Sequence, residues 1–338
     1  MTAGSPRIGI IADTTLQGHL LSSAVRGQGY EVVVNSDPGN IEAAWLTSGD
    51  LDLWVVDLNQ EDRWQEFLDR LLEDTPVPIL FSDGQAPARN SPHYPRWERR
   101  LLSKMLDYVG KPKVEVKLDA LKTSKPPVSI PTPAEFRKVA LGPVPERVWV
   151  LGASLGGPAA VKAFLDCLPG ELPVAFLLAQ HIDHSFLETL AGVLCRDNPF
   201  QCRVGYDGEQ LSHGTVLIAP VEYEIAFTDT GRIVSTGKPW EGPYAPSIDQ
   251  VINNVSSRFA ERAGAIVFSG MGNDGSIAGP AMKQRGAPIW AQDAASCACS
   301  SQPDSMRDTG CVSYSGTPDK LALALVEYVR QDIRRGLQ

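Results

Sequence analysis

Three residues that follow apolar runs have the types needed for acyl transfer: Ser154 after RVWVLGA, His181 after LLAQ, and Asp274 in the loop after AIVFSG. A serine hydroxyl attacks well only if a base takes its proton. An imidazole can act as that base, and a carboxylate can hold the imidazole in the correct tautomer. Taken singly, each residue has a plainer reading: a Gly-rich turn, a structural histidine, a turn-forming aspartate. Taken together, they stand at the carboxyl ends of strands, where ligand sites form in open α/β sheets. The surrounding glycines fit this reading. Gly152 leaves the strand exit unobstructed, while Gly156 and Gly157 permit close backbone approach to a substrate and leave amides free at a helix start near Pro158. The run has neither GxGxxG nor GxxxxGK[ST] spacing, which argues against a phosphate cradle. The chain order Ser, His, Asp differs from the familiar hydrolase orders, so a separate scaffold is expected. His184 is the competing base, placed beyond the strand edge in a loop or helix start.

A common rim requires a parallel sheet beneath it. In the second half RVWVLGA, VAFLLAQ, TVLIAP and AIVFSG contain strands without polar alternation, as burial on both faces demands. In the first half RIGIIA, EVVV, DLWVVD and PILFS alternate with LLSSAV, IEAAWL and WQEFLDRLL, whose apolar residues recur at helix spacing. The expected fold class is α/β: two doubly wound parallel-sheet domains, 7–122 and 147–335, joined by a Pro-rich linker over 123–146. SKPPVSIPTP and LGPVP make that linker extended and partly stiff. Lys111, Lys113, Lys117, Lys122 and Lys125 make its approach basic, read as a solvated face.

Bulk properties set outer bounds. A length of 338 residues suits two domains, and 43% hydrophobic with 21% charged residues is ordinary for a globular protein. A net charge of -9 argues against general affinity for nucleic acid or anionic membrane. No apolar run approaches a bilayer span, and MTAGSPRIGI lacks the features of a secretory signal, so a cytoplasmic protein without membrane insertion is expected. The six cysteines lack CxxC spacing and read as free thiols in a reducing compartment.

Six segments in order, GASLGG, AQH, Asp207–Pro220, PSID at 246–249, GMGNDG at 270–275 and AQDAASC at 291–297, resemble the CheB-type protein-glutamate methylesterase domain. The resemblance implies that Ser154 is the nucleophile, His181 the general base and Asp274 its orienting carboxylate, with the Met271 backbone amide in the oxyanion hole. It implies hydrolysis of γ-glutamyl methyl esters on the cytoplasmic domain of methyl-accepting chemoreceptors, and deamidation of particular glutamines, with no cofactor and no metal in the esterase site. Three positions depart from the family pattern: Leu155 in place of threonine, IDHSF without the usual proline after His181, and Ala245 where an arginine commonly stands.

In that family a receiver domain precedes the esterase, and residues 7–122 resemble one in outline. Asp57 would be the phosphoacceptor, Asp13 a ligand for Mg²⁺, Ser82 the hydroxyl after the fourth strand and Lys111 the lysine after the fifth. A CheA-type histidine kinase would be the upstream partner. Ala12 replaces one member of the usual acidic pair, and LNQED follows Asp57, so a phosphorylatable receiver, a degenerate receiver that only docks partners and an unrelated α/β domain all remain open. The alternatives for the whole chain are a non-catalytic scaffold of the same fold and a serine hydrolase of small esters or amides.

Overall fold

A computed structural model describes residues 5–82, 86–89, 91, 93–112, 118, 121, 129–139 and 144–336. The chain divides into two compact units, Met1–Glu115 and Val116–Gln338.

In the first unit, β1 (Arg7–Ala12), β2 (Glu31–Ser36), β3 (Leu53–Asp57) and β4 (Ile79–Phe81) form a parallel sheet of order β2-β1-β3-β4. That is the first part of the flavodoxin-like strand order. Between the strands run α1 (Thr15–Gly27), the short α2 (Ala43–Leu46) and α3 (Gln65–Asp74), and α4 (Tyr94–Val109) follows β4. Ile8, Ile10, Leu53 and Val55 are fully buried at the centre, as strands covered on both faces must be. Residues 113–117, where a fifth strand could follow, lie outside the described residues.

The second unit holds a seven-stranded sheet, parallel throughout. Its strands are β5 (Val148–Ala153), β6 (Ala175–Gln180), β7 (Gln201–Val204), β8 (Thr215–Ile218), β11 (Ala263–Val267), β12 (Ile289–Gln292) and β13 (Tyr314–Gly316). They run in the order β13-β12-β11-β5-β6-β8-β7, with a separate hairpin of β9 (Ile225–Phe227) and β10 (Ile233–Ser235). On one face α5 (Gly157–Cys167), α6 (Leu187–Leu194) and α10 (Pro318–Gly336) bury Val161, Phe164, Leu190, Leu321, Leu325 and Val329. On the other, α7 (Ile248–Phe259) and α8 (Gly279–Gln284) bury Val251, Ile252, Val255 and Met282. At about 1.5–3 kcal/mol for each large aliphatic side chain removed from water, these two layers drive the folding of the unit. β5 lies between β11 and β6, so the chain leaves the sheet at three adjacent carboxyl ends.

The described part of the expected linker does not stand apart. Phe136 is 3% exposed within the second unit's core, and the Ile130 N–H donates to the Cys167 carbonyl at 2.8 Å. Arg137 pairs with Glu171, and Glu135 with Arg334. The apolar residues spaced among the prolines explain this, because Ile130, Phe136 and Val139 have a core face to cover. Residues 122–128 and 140–143 of that segment lie outside the described residues. Among the described residues no helix is long and apolar enough to cross a membrane.

Candidate active site

Ser154 and His181 are set side by side by strand register. Ala153 pairs with Gln180 across β5 and β6, and the His181 N–H donates to the Ala153 carbonyl at 3.0 Å. Both residues therefore begin the loops at one edge of the sheet. Ser154 is also tied to the neighbouring strand end, through its N–H to the Ser269 carbonyl at 3.1 Å. Beneath the two residues lies Gln180, 1% exposed, whose Nε2 donates to the carbonyls of Ser154 at 2.9 Å and His181 at 3.0 Å. One amide thus fastens both loop starts together.

Gly156 makes the turn into α5 with φ of +77°, a conformation costly for a residue with a β-carbon. Residues 152–156 spell GxSxG, yet Ser154 has no positive φ and so is not held in the strained turn of a nucleophile elbow. The close approach expected for a substrate at these glycines is made by the protein instead. A β-carbon at Gly156 would lie 2.5 Å from Ala298 Cβ, and one at Gly157 would lie 2.6 Å from Gln180 Oε1.

His181 Nε2 meets Asp274 Oδ2 at 2.9 Å. The Asp274 carboxylate is almost wholly buried, and backbone donors neutralise it: Ile248 N–H at 2.7 Å, Asp249 N–H at 3.1 Å and Gly275 N–H at 3.1 Å. Ile248 and Asp249 open α7, so the carboxylate caps the positive end of a helix. This accounts for the PSID segment. Ser247 is the N-cap and accepts from Gln250 N–H, the next two amides grip Asp274, and the Asp249 carboxylate in turn accepts from Ala278 N–H at 2.7 Å.

In the GMGNDG loop Gly270 N–H donates to the Cys299 carbonyl at 2.9 Å and Gly272 N–H to Ser301 Oγ at 3.0 Å. Among the described residues the Met271 N–H between them has no acceptor. Gln292 of the AQDAASC segment holds the base of the loop, accepting from Ser269 N–H at 2.8 Å.

The structure therefore joins His181 to Asp274 and places Ser154 next to His181, with no Ser154–His181 hydrogen bond among the described residues. His184 is elsewhere. It lies in a one-turn helix with a largely exposed side chain and pairs with Glu222 at 2.8 Å. Sequence reasoning passed over Tyr244, whose ring stacks on the His181 imidazole with centroids 4.9 Å apart and planes inclined by 3°. It carried no signal beyond its place two residues before the PSID segment.

In the first unit, Asp57 ends β3 and pairs in register with Ala12, Asp13 follows β1, and Ser82 follows β4 with its N–H on the Val56 carbonyl. These three share one sheet edge. Lys111 does not join them as the residue after a fifth strand: Tyr94–Val109 is a 16-residue helix, and Lys111 lies exposed just past its Gly110 cap. The reason is the 3.6-residue spacing of Trp97, Leu101, Leu102 and Met105, all buried on one helix face.

Both Asp13 oxygens are engaged, accepting from Asn59 N–H at 2.8 Å, Asn59 Nδ2 at 2.9 Å and Gln60 N–H at 3.0 Å. Asp57 is 4% exposed, and burial, followed by the charge of Asp13, pushes its carboxyl up to about 6. A hard divalent cation needs several available anionic oxygens. Asp13 spends both oxygens on amides, and among the described residues the buried Asp57 Oδ2, which has no hydrogen-bond partner, is left to a cation, too few anionic oxygens to fit Mg²⁺.

A family model described as CheB methylesterase matches residues 149–325, just over half of the chain. The protein-glutamate methylesterase/protein-glutamine glutaminase 2 of Burkholderia lata is 32% identical over 207 residues, covering 59% of this chain and 61% of that protein. The correspondingly named protein 6 of Anaeromyxobacter dehalogenans is 34% identical over 193 residues, covering 55% of each. The chain thus spans less than two thirds of the length of these curated relatives. Among solved structures, the catalytic domain of Thermotoga maritima CheB methylesterase superposes with a TM-score of 0.52 at 23% identity, covering 54% of this chain and 98% of that one; the likeness is one of fold.

Proposed function

The chain belongs to the CheB methylesterase family, and on that premise we propose that it hydrolyses γ-glutamyl methyl esters on the cytoplasmic domain of chemoreceptors through Ser154, His181 and Asp274. The observation that carries the reading is the His181 Nε2–Asp274 Oδ2 bond of 2.9 Å, formed at the strand end adjacent to Ser154. With Nε2 turned to the carboxylate, Nδ1 is the ring nitrogen that receives the serine proton. Ser154 Oγ attacks the ester carbonyl as Nδ1 takes that proton, and the Met271 N–H faces the oxyanion, a contribution worth roughly 3–4 kcal/mol per donor in comparable sites. Collapse expels methoxide, which leaves as methanol with the imidazolium proton. Water, deprotonated by the same nitrogen, then releases glutamate and regenerates the hydroxyl. No cofactor enters these steps. The relatives' names include glutaminase, and the same groups would deamidate a γ-carboxamide with ammonia as the leaving group.

We read the setting as chemosensory adaptation in the cytoplasm, with a CheA-type histidine kinase upstream. The first unit is then a receiver-like regulator that does not turn over phosphate at Asp57; the engaged Asp13 and the sequestered Asp57 support this. The test of the activity is methanol release from methylated receptor membranes by the full chain, with Ser154→Ala as control. Release that depends on Ser154 is expected. Release by Ser154→Ala refutes the nucleophile, no release by wild type favours a scaffold, and turnover of small esters alone favours a different hydrolase.

A further inference from the structure

We propose that Tyr244 is a positioning residue for His181, fixing the plane of the imidazole and stabilising the imidazolium formed when the Ser154 proton is taken up. The proposal rests on the esterase reading above and names a residue that reading does not use.

An imidazole held at one nitrogen can still turn, because the torsion to its sp² ring is broad and roughly two-fold. Asp274 supplies an in-plane anchor at Nε2. Tyr244 supplies the perpendicular one, a ring lying parallel within 3° at a centroid distance of 4.9 Å, which is an offset stack. An edge anchor and a face anchor together leave one orientation, and the His181 side chain is only 15% exposed. The same stretch of chain orients both members of the pair. Tyr244 stands three residues before Ser247, the N-cap of α7, and the first amides of that helix hold Asp274. The phenol reaches back to the same loop, with its O–H 3.5 Å from Oδ1 of Asn273, the buried neighbour of Asp274.

The stack also has a chemical consequence. The face of a tyrosine ring attracts a cation far more than a neutral ring. As the proposed general base, His181 gains its positive charge only as it takes up the Ser154 proton. The attraction is therefore gained mainly in the transition state, so its loss lowers kcat and leaves KM nearly unchanged.

The experiment compares wild-type full chain with Tyr244→Leu, which keeps an apolar side chain but no ring, and Tyr244→Phe, which restores the ring without the hydroxyl. Three quantities are read: kcat and KM for methanol release, the rate at which a fluorophosphonate ester labels Ser154, and the ring-proton resonances of His181, assigned by their loss in His181→Gln. Expected for Tyr244→Leu are a fall of about tenfold in kcat and in labelling rate, a KM within about twofold, and loss of the upfield ring-current displacement of the His181 protons. Tyr244→Phe should recover most of each. Unchanged kcat and labelling in Tyr244→Leu, a change in KM alone, or a Tyr244→Phe variant as slow as Tyr244→Leu would overturn the proposal. Labelling requires no receptor, so a wild-type chain that is labelled without releasing methanol refutes the receptor reading and leaves the Tyr244 comparison decisive.

Discussion

Replacing Asp274 by asparagine changes one atom and tests the proposed proton path. Among the described residues the carboxylate accepts from Ile248 N–H and His181 at Oδ2 and from Asp249 N–H and Gly275 N–H at Oδ1. An asparagine offers one acceptor oxygen. If its nitrogen takes the Oδ1 position, two buried backbone donors lose their acceptor. If it takes the Oδ2 position, only Ile248 N–H does, and the amide instead donates to His181 Nε2. The second arrangement is the less costly one. One orphaned buried N–H costs about 1–3 kcal/mol, and loss of the charge at the head of α7 adds about 0.3–1 kcal/mol, giving a destabilisation of roughly 1–4 kcal/mol. The catalytic cost is larger. With Nε2 accepting, Nδ1 carries the proton and cannot receive another from Ser154, so kcat should fall by about 10⁴, the drop seen for a triad locked in the wrong tautomer. Methanol release would be measured beside urea unfolding of the same preparation, to separate inactive folded enzyme from unfolded chain. A folded Asp274→Asn protein with kcat within tenfold of wild type would refute the tautomer reasoning.

Gln180→Leu should leave the Ser154 and His181 carbonyls without their shared donor, costing about 2–4 kcal/mol in urea unfolding and lowering kcat as the two loop starts separate. A variant as stable and as active as wild type would show that the clamp is dispensable. For Asp57 the sign follows from its carboxyl standing at about 6 against an ordinary value of 3.8. The folded state holds the proton more tightly than the unfolded one, so this group's contribution is most favourable below about 4 and is lost as pH rises through 6. Asp57→Asn should therefore slow hydrogen exchange of the β1 and β3 amides at pH 7.5, with a gain of order 2 kcal/mol that shrinks toward pH 4. Equal exchange in both proteins at pH 7.5 would contradict the buried-charge account.

The residues proposed to do chemistry were easier to pick out than the residues that hold them. Ser154, His181 and Asp274 were readable because each follows a run whose uninterrupted apolarity marks a buried parallel strand, and such strands deliver their next residues to one edge. The grip on Asp274 was not readable. Main-chain amides at the start of α7 make it, and an amide has no letter in the sequence. Tyr244 was missed because it lies in an irregular segment between β10 and α7, where no period predicts a neighbour. β7 and β13 were not named as strands because QCRV and YSG carry no apolar run, unlike the equally short TVLI of β8. Lys111 was misplaced because the receiver outline demanded a strand where amphipathic spacing makes a helix, and 129–139 because proline content outweighed the few apolar residues that dock it.

The choice of ring nitrogen limits how such a centre can arise. Nδ1 is bonded to the ring carbon that joins the side chain to its main chain, so its reach is short. Under the proposed mechanism the hydroxyl must therefore come from the adjoining strand, where register sets Ser154 beside His181. Inserting or deleting a single residue in β5 or β6 would carry one partner out of range, whereas β7 and β13, at the two margins of the sheet, lie apart from that register.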